Sequence, residues 1–258
     1  MKKIIINLLR KLHLLPIVEK IFLIINVFKN YKSNLKYSRE HNIKIPPYSL
    51  MFDAYNHCNL SLYHNSGKIH ADIIKDIISQ YKSIEEITLC EWGCGAARIL
   101  QQFDNTELIG TDYNGKTIAW CKKNFPNIRF IKNELCPPLP LESNSIDVLY
   151  CISVFTHLSE EQQILWINEI KRVLKPNGLF IASFHGNRTL NALLPYELKS
   201  INEGKVVVRG NVKEGSKFFL SYHSDDFIKS TLLNGFTSIK KIEPSSMHQD
   251  VWCAILPA

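Results

Sequence analysis

Glu91-Trp-Gly-Cys-Gly-Ala-Ala-Arg98 closes an apolar run, Ile87 to Trp92, and precedes a second apolar run that ends on Asp112. Glycines at 93 and 95 let the backbone turn sharply and let a ligand approach its amide groups. In a doubly wound sheet, a carboxylate about twenty residues beyond such a turn sits beside the ligand and can accept both hydroxyls of a ribose. The stretch predicts a strand, a glycine turn opening a helix, and a nucleoside site at the carboxyl edge of a parallel sheet.

Outward from this stretch, strands and helices alternate. Strands are expected at Ile87 to Trp92, Leu108 to Tyr113, Ile128 to Lys132, Ile146 to Val154 and Leu179 to Phe184, with helices at Arg98 to Phe103, Asn114 to Asn124 and Ser159 to Leu174. Apolar strands joined by crossovers of this length form a parallel sheet covered on both faces. Lys175-Pro-Asn-Gly178 stops the third of these helices, because Pro cannot continue it and Gly permits the turn. Phe236 to Ile242 and Val251 to Leu256 read as a hairpin, so the expected fold is α/β, Rossmann-like, with a mostly parallel seven-stranded sheet closed by a C-terminal antiparallel hairpin. Residues 187–222 break the alternation as an insertion with short strands near Lys205 to Arg209 and Phe218 to Tyr222, where a ligand pocket would form.

Before the sheet, Lys68 to Tyr81 carries Ile69, Ile73, Ile74, Ile77 and Ile78 at helical spacing. The domain is expected to span 67–258, preceded by a covering segment at 41–66 and a helical extension at 1–40. The net charge of +7 sits in that extension, which holds nine Lys or Arg against Glu19 and Glu40, while the rest of the chain is balanced. A neutral body argues against nucleic acid, which is held through a basic face. Arg10, Lys11, Glu19 and Lys20 interrupt the apolar run from Ile4 to Phe28, so it is a poor membrane span, and no small-residue cleavage site follows it. It reads instead as an interfacial helix pair broken near Pro16, facing an anionic membrane surface at the cytoplasmic side, or else packing on protein. Seven cysteines without a CxxC pair point to a reducing compartment, and the spacing of Cys90 and Cys94 finds no second pair to complete a zinc site, so no metal is expected.

The dinucleotide fingerprint fails at Arg98, which stands where a third glycine belongs, and a pyrophosphate has no use for Glu91. A ligand with an amine and a ribose but no phosphate suits both acids. Together with Ile109-Gly-Thr-Asp-Tyr113, Pro137-Pro-Leu-Pro140, Ser145-Ile-Asp-Val148, Ser153-Val-Phe-Thr-His-Leu158 and Arg172-Val-Leu-Lys-Pro-Asn-Gly178, the turn resembles class I S-adenosylmethionine-dependent methyltransferases over residues 67–256, in particular the small-molecule branch that modifies surface glycans and lipids.

The resemblance implies S-adenosylmethionine as cofactor. Glu91 would hold the methionine amine, Gly93, Cys94 and Gly95 would accommodate the methionyl and ribose portion, and Arg98 would be a cofactor contact or a structural ion pair. Asp112 would bind the ribose hydroxyls and Tyr113 would lie against adenine. The adenine amino contact stays open between Asn133, Glu134 and the backbone of Leu135, and Ser153 would lie near the transferred methyl. Trp92 reads as core.

Methyl transfer from a sulfonium is an in-line displacement, and a hydroxyl acceptor needs a base nearby. Histidine suits that task at neutral pH, and the candidates are His157 after the fourth strand, His185 at the end of the fifth and His223 after the insertion. His57 and His64 fall in the covering segment. The leading expectation is O-methylation of a sugar, glycan or lipid-linked acceptor. The alternatives are a soluble metabolite methylated on oxygen or nitrogen, a non-catalytic scaffold, and a nicotinamide oxidoreductase disfavoured by Arg98 and the terminal hairpin. Absence of an Asn/Asp-Pro-Pro-Tyr motif argues against nucleobase or protein amide nitrogen as acceptor. Oligomeric state is open.

Overall fold

A computed structural model describes residues 15–104 and 107–258. Three helices come first: α1 (Leu15–His41), α2 (Tyr48–Tyr55) and α3 (Leu60–Ser79). The sheet follows as β1 (Thr88–Trp92), β2 (Glu107–Asp112), α4 (Gly115–Asn124), β3 (Arg129–Lys132), β4 (Ile146–Cys151), α5 (Glu160–Val173) and β5 (Leu174–Phe184). The insertion holds α6 (Pro195–Asn202), β6 (Val207–Arg209) and β7 (Leu220–Tyr222), and β8 (Thr237–Ile242) and β9 (Asp250–Ile255) end the fold.

The seven-stranded sheet runs β3-β2-β1-β4-β5-β9-β8, and β6 and β7 form a separate antiparallel pair. Strands β1 to β5 are parallel, and β9 enters antiparallel between β5 and β8, the arrangement expected of the terminal hairpin. Side-chain alternation sorts the core onto two faces. Cys90 and Trp92, Leu149 and Cys151, and Phe180, Ala182 and Phe184 pack on one face with Trp166, Ile167 and Ile170 of α5. Leu89, Val148, Tyr150, Leu179 and Ile181 pack on the other with Ile74, Ile77 and Ile78 of α3 and Cys121 of α4. The helix starts are capped from within the sequence: Asn59 accepts the amide of Leu62, Asn114 those of Lys116 and Thr117, and Ser159 that of Gln162. Glu160 and Glu161 open α5 while Lys171 and Arg172 close it, both favourable to its dipole.

Several expectations are corrected. The helix expected at Arg98 to Phe103 is a single 3₁₀ turn, Leu100–Gln102, preceded by Ala97 with a left-handed φ of 54°. Helix α3 starts eight residues earlier than the apolar spacing predicts, so the boundary expected at residue 67 falls inside a continuous helix. Lys175-Pro-Asn-Gly178 does end α5, but it bulges out of β5 rather than preceding it: Ile146 pairs with Leu174 and Val148 with Leu179. From Leu15 onward the extension is a single helix. The expected break near Pro16 concerns its first helix, whose residues lie outside those described. All seven cysteines are free, and the described residues hold no group of three metal-ligating side chains.

Helix α1 is fastened to the body by a buried amide. Asn34 Nδ2 donates to the carbonyl of Cys58 at 2.6 Å, and Asn34 Oδ1 accepts the amide of Leu60 at 2.8 Å. One side chain thus satisfies two backbone groups at the start of α3.

Candidate active site

The carboxyl ends of β1, β2, β3 and β4 surround a cavity of about 740 Å³, roofed by α1, α2 and α3 and walled by the insertion and the β8–β9 loop. Its floor is the glycine turn. The amides of Gly93 and Cys94 both donate to the carbonyl of Thr111, at 2.8 and 2.9 Å, which folds the turn back over β2. Gly93 has a φ of 77°, and a Cβ there would lie 2.4 Å from Val154 Cγ2; Gly95 has a φ of 51°, and a Cβ there would meet no atom within 4 Å. The first glycine permits close packing and the second leaves open space above the turn.

Two carboxylates flank that space. Asp112 is pinned by backbone donors, with Oδ2 accepting Gly95 N at 3.0 Å and Oδ1 accepting Asn114 N at 2.8 Å. Burial raises its pKa and those two amides oppose the rise. Glu91 is 3% exposed, and its Oε2 accepts Leu100 N at 3.1 Å and the Tyr150 hydroxyl at 3.0 Å. Burial pushes its pKa up to about 8, against the Tyr150 hydrogen bond and the Arg98 guanidinium.

Arg98 resolves one alternative. Its guanidinium donates to Ser66 Oγ and His70 Nδ1, both at 3.2 Å, and lies 4.8 Å from the centroid of the Tyr55 ring. Among the described residues its close partners are therefore neutral, with Glu91 acting on it only at longer range. A nine-tenths-buried cation held this way favours an anionic group in the cavity. His70 was not among the expected site residues. Burial and the Arg98 charge lower its pKa to about 3, so it is neutral and accepts through Nδ1.

The remaining expected residues line the same cavity. Tyr113 is 40% exposed and donates to the carbonyl of Gly215 at 3.0 Å. Asn133 donates through Nδ2 to the carbonyl of Glu134 at 2.6 Å, while its buried Oδ1 has no partner. Glu134 turns outward to Lys132 at 2.5 Å, and the carbonyl of Leu135 is taken by Trp166 Nε1 at 2.9 Å. Of the three adenine candidates, Asn133 is thus the one holding an unused buried acceptor. Ser153 has a left-handed φ of 62°, and its hydroxyl bonds Thr156 and accepts Gln249 Nε2 at 2.9 Å. Trp92 packs 4.3 Å from Trp166, in the core as expected and beneath the cavity.

The three histidines separate. His157 lines the cavity, and its Nδ1 lies 2.7 Å from the carbonyl of Phe219. That carbonyl can only accept, so Nδ1 carries the proton and Nε2 is the basic nitrogen. Burial lowers the pKa of His157 and keeps it neutral. His185 is not in the cavity: it bonds the carbonyl of Ser221 at 3.1 Å and stacks on Tyr222. His223 is fully buried between Phe184 and Phe227, with Nε2 bonded to Gln163 Oε1 at 3.0 Å. His185, just after β5, is held by β7, and His223, just after β7, enters the core; neither lines the cavity, so neither is placed to act as a base.

Residues 90–182 match the methyltransferase domain family. Over this stretch the chain resembles the class I S-adenosylmethionine-dependent methyltransferases. The chain is similar to ubiquinone biosynthesis O-methyltransferases of Rickettsia bellii (30% identical over 129 residues, 47% of this chain and 51% of that protein) and Rickettsia prowazekii (31% identical over 129 residues, 47% and 49%). It spans about half the length of these curated relatives. Its fold is shared with a SAM-dependent methyltransferase of Methanosarcina mazei (TM-score 0.51, 18% identical, covering 70% of this chain and 98% of that one) and the CurJ carbon methyltransferase (TM-score 0.52, 16% identical, covering 74% and 54%).

The residues lining the cavity fit S-adenosylmethionine. Gly95 opens onto space a side chain would fill, Asn133 Oδ1 is a buried acceptor without a partner, and Glu91, which an ammonium group would ionise, stands with the Arg98 guanidinium as a pair suited to an amino acid end. Asp112, fixed from behind by two amides, would take the ribose hydroxyls, and Asn133 the adenine amino group. When bound, the cofactor supplies a methyl group activated by its sulfonium.

Proposed function

We propose that the protein transfers the methyl group of S-adenosylmethionine to a hydroxyl of a sugar, glycan or lipid-linked acceptor, working at the cytoplasmic face of a membrane. The observation that carries this reading is His157, a neutral histidine lining the cavity whose proton is fixed on Nδ1 by the Phe219 carbonyl. Nε2 is then free to take the acceptor's proton as the oxygen attacks, and the proton rests there until it escapes to solvent. Burial adds to this by keeping the imidazole unprotonated at neutral pH. The names of the Rickettsia relatives, O-methyltransferases of ubiquinone biosynthesis, agree with oxygen as the accepting atom.

The cavity extends from the glycine turn to a wall formed by Leu50, Tyr55, Ile69, Phe218 and Met247, with Glu19, Asp53 and Lys217 at its polar end. Mixed apolar and charged lining suits an acceptor that joins an apolar part to a hydroxylated one. Purified protein with radiolabelled S-adenosylmethionine and a panel of free sugars, lipid-linked sugars and soluble phenols tests the reading. Label is expected in a lipid-linked or sugar product as a methyl ether, with His157→Ala and His157→Gln slowed about 100-fold at unchanged S-adenosylhomocysteine affinity. Methylation of nitrogen, or unimpaired His157 variants, would overturn the assignment of base and acceptor atom.

A further inference from the structure

Helix α1 is apolar on two sides. Its inner side packs Leu23, Val27 and Tyr37 against Met51, Phe52 and Tyr63 of α2 and α3. Its outer side presents Ile17, Ile21, Ile24, Ile25 and Phe28, each more than half exposed and Phe28 81% exposed. At 100° per residue these five fall within one sector opposite the packed row and span about 16 Å of helix axis. An exposed apolar row of this length marks an interaction surface.

The charges around the row select its partner. Lys20, Lys29, Lys32 and Lys36 are exposed beside it. The acids of α1 are both engaged with lysines: Glu19 turns inward to Lys217, and Glu40 pairs with Lys36 at 3.8 Å. A second copy docked on this face through a two-fold axis would bring lysine rows together without an acid between them. An anionic lipid surface satisfies both the apolar row and the flanking cations. No described helix is long and apolar enough to cross a membrane, so α1 would lie flat in the interface.

The inner side of the same helix reaches the cavity. Glu19 lines it and pairs with Lys217, whose ammonium stands 4.3 Å from the centroid of the Phe52 ring and 3.3 Å from the carbonyl of Phe52. The geometry points to α1 as a docking helix that lays the cavity mouth against an anionic bilayer, so that an amphiphilic acceptor enters from the lipid side. The docking stands on α1 alone; the entry route rests on the methyltransferase reading above.

The test is co-sedimentation of the full chain with phosphatidylglycerol–phosphatidylcholine vesicles and with phosphatidylcholine vesicles, at low and high salt, without cofactor or acceptor. Wild type is expected to bind the anionic vesicles and to be released by salt. Ile21→Ser with Phe28→Ser, and separately Lys29→Gln with Lys32→Gln, are expected to lower binding at least tenfold. Unchanged melting temperature and S-adenosylhomocysteine affinity would show that the variants fold. Failure of wild type to bind, equal binding by both variants, or a dimer in sedimentation velocity that Phe28→Ser dissociates would each overturn docking. Vesicle binding that persists in an inactive His157→Ala protein keeps docking separate from the reaction; if docking holds while no lipid-linked acceptor is methylated, the entry route alone falls.

Discussion

The hydroxyl of Tyr150 donates to Glu91 Oε2 at 3.0 Å across neighbouring strands, inside a site where burial pushes the Glu91 pKa up to about 8. The folded state therefore holds this proton over a range where the unfolded chain has released it. Its contribution to stability is full below about 4.5, the ordinary value, and is lost as pH rises toward about 8. Glu91→Gln is expected to flatten that decline, so its melting temperature gains on wild type between pH 5 and pH 8. An ammonium group beside Glu91 favours the ionised form, so cofactor binding near pH 7 should release a proton. Titration calorimetry in buffers of different ionisation enthalpy checks this, and heats independent of buffer would contradict it.

Asp112 accepts one backbone amide on each oxygen. Asp112→Asn turns an NH₂ toward either Gly95 N or Asn114 N, setting donor against donor whichever way the amide lies. Both Asp112→Asn and Asp112→Ala are expected to weaken S-adenosylhomocysteine binding by 10- to 100-fold, or about 1.4 to 2.8 kcal/mol. An Asn variant with wild-type affinity in the same calorimeter would rule out this geometry.

Gly67 lies where α3 crosses the glycine turn. A Cβ there would stand 2.3 Å from the carbonyl oxygen of Arg98 and 2.9 Å from its Cγ. Alanine is the better helix former by about 1 kcal/mol, but the clash is with backbone and cannot be relieved by a rotamer. Gly67→Ala should be destabilised by about 1 to 3 kcal/mol and lose cofactor affinity as Arg98 shifts. Chemical denaturation and binding together read both effects.

Three buried histidines are held neutral: His70 and His223 with pKa values near 3 and His185 near 4. Each binds a proton on unfolding once pH falls below about 6.5, so their contribution is present above that value and is lost as pH falls toward 4. The melting temperature should drop over that interval, with proton uptake on unfolding of up to three. A flat profile between pH 6.5 and 4 would show that these rings are already solvated.

The sheet was legible because each strand carries its own apolar run and each crossover its own cap; Asn114 and Ser159 stand where the sequence places helix starts. The glycine turn and Asp112 were legible for the same reason, being local. The roof was not. In α3 the polar residues His64, Asn65, Ser66 and Lys68 obscure the periodicity ahead of Ile69, although Tyr63, Gly67, His70, Ala71 and Ile74 already lie on one buried face. That spacing was the signal by which His70 could have been found. His185 and His223 could not be sorted from His157 by sequence, since all three follow strands or short strand-like runs. What separates them is the docking of β7 beside the turn that holds His157, through Ser221 Oγ to the carbonyl of Leu158 at 2.5 Å.

The insertion grips both ends of the cavity. Gly215 accepts the Tyr113 hydroxyl through its carbonyl and donates its amide to the carbonyl of His157, and four residues later Phe219 fixes the His157 ring. The loop is consequently no interchangeable cassette. Grafting the corresponding segment of another methyltransferase to change acceptor choice would also disturb the nucleoside side, altering how long the spent cofactor dwells after turnover. Redesign of this enzyme would have to exchange Tyr113, His157 and residues 213–222 as one unit.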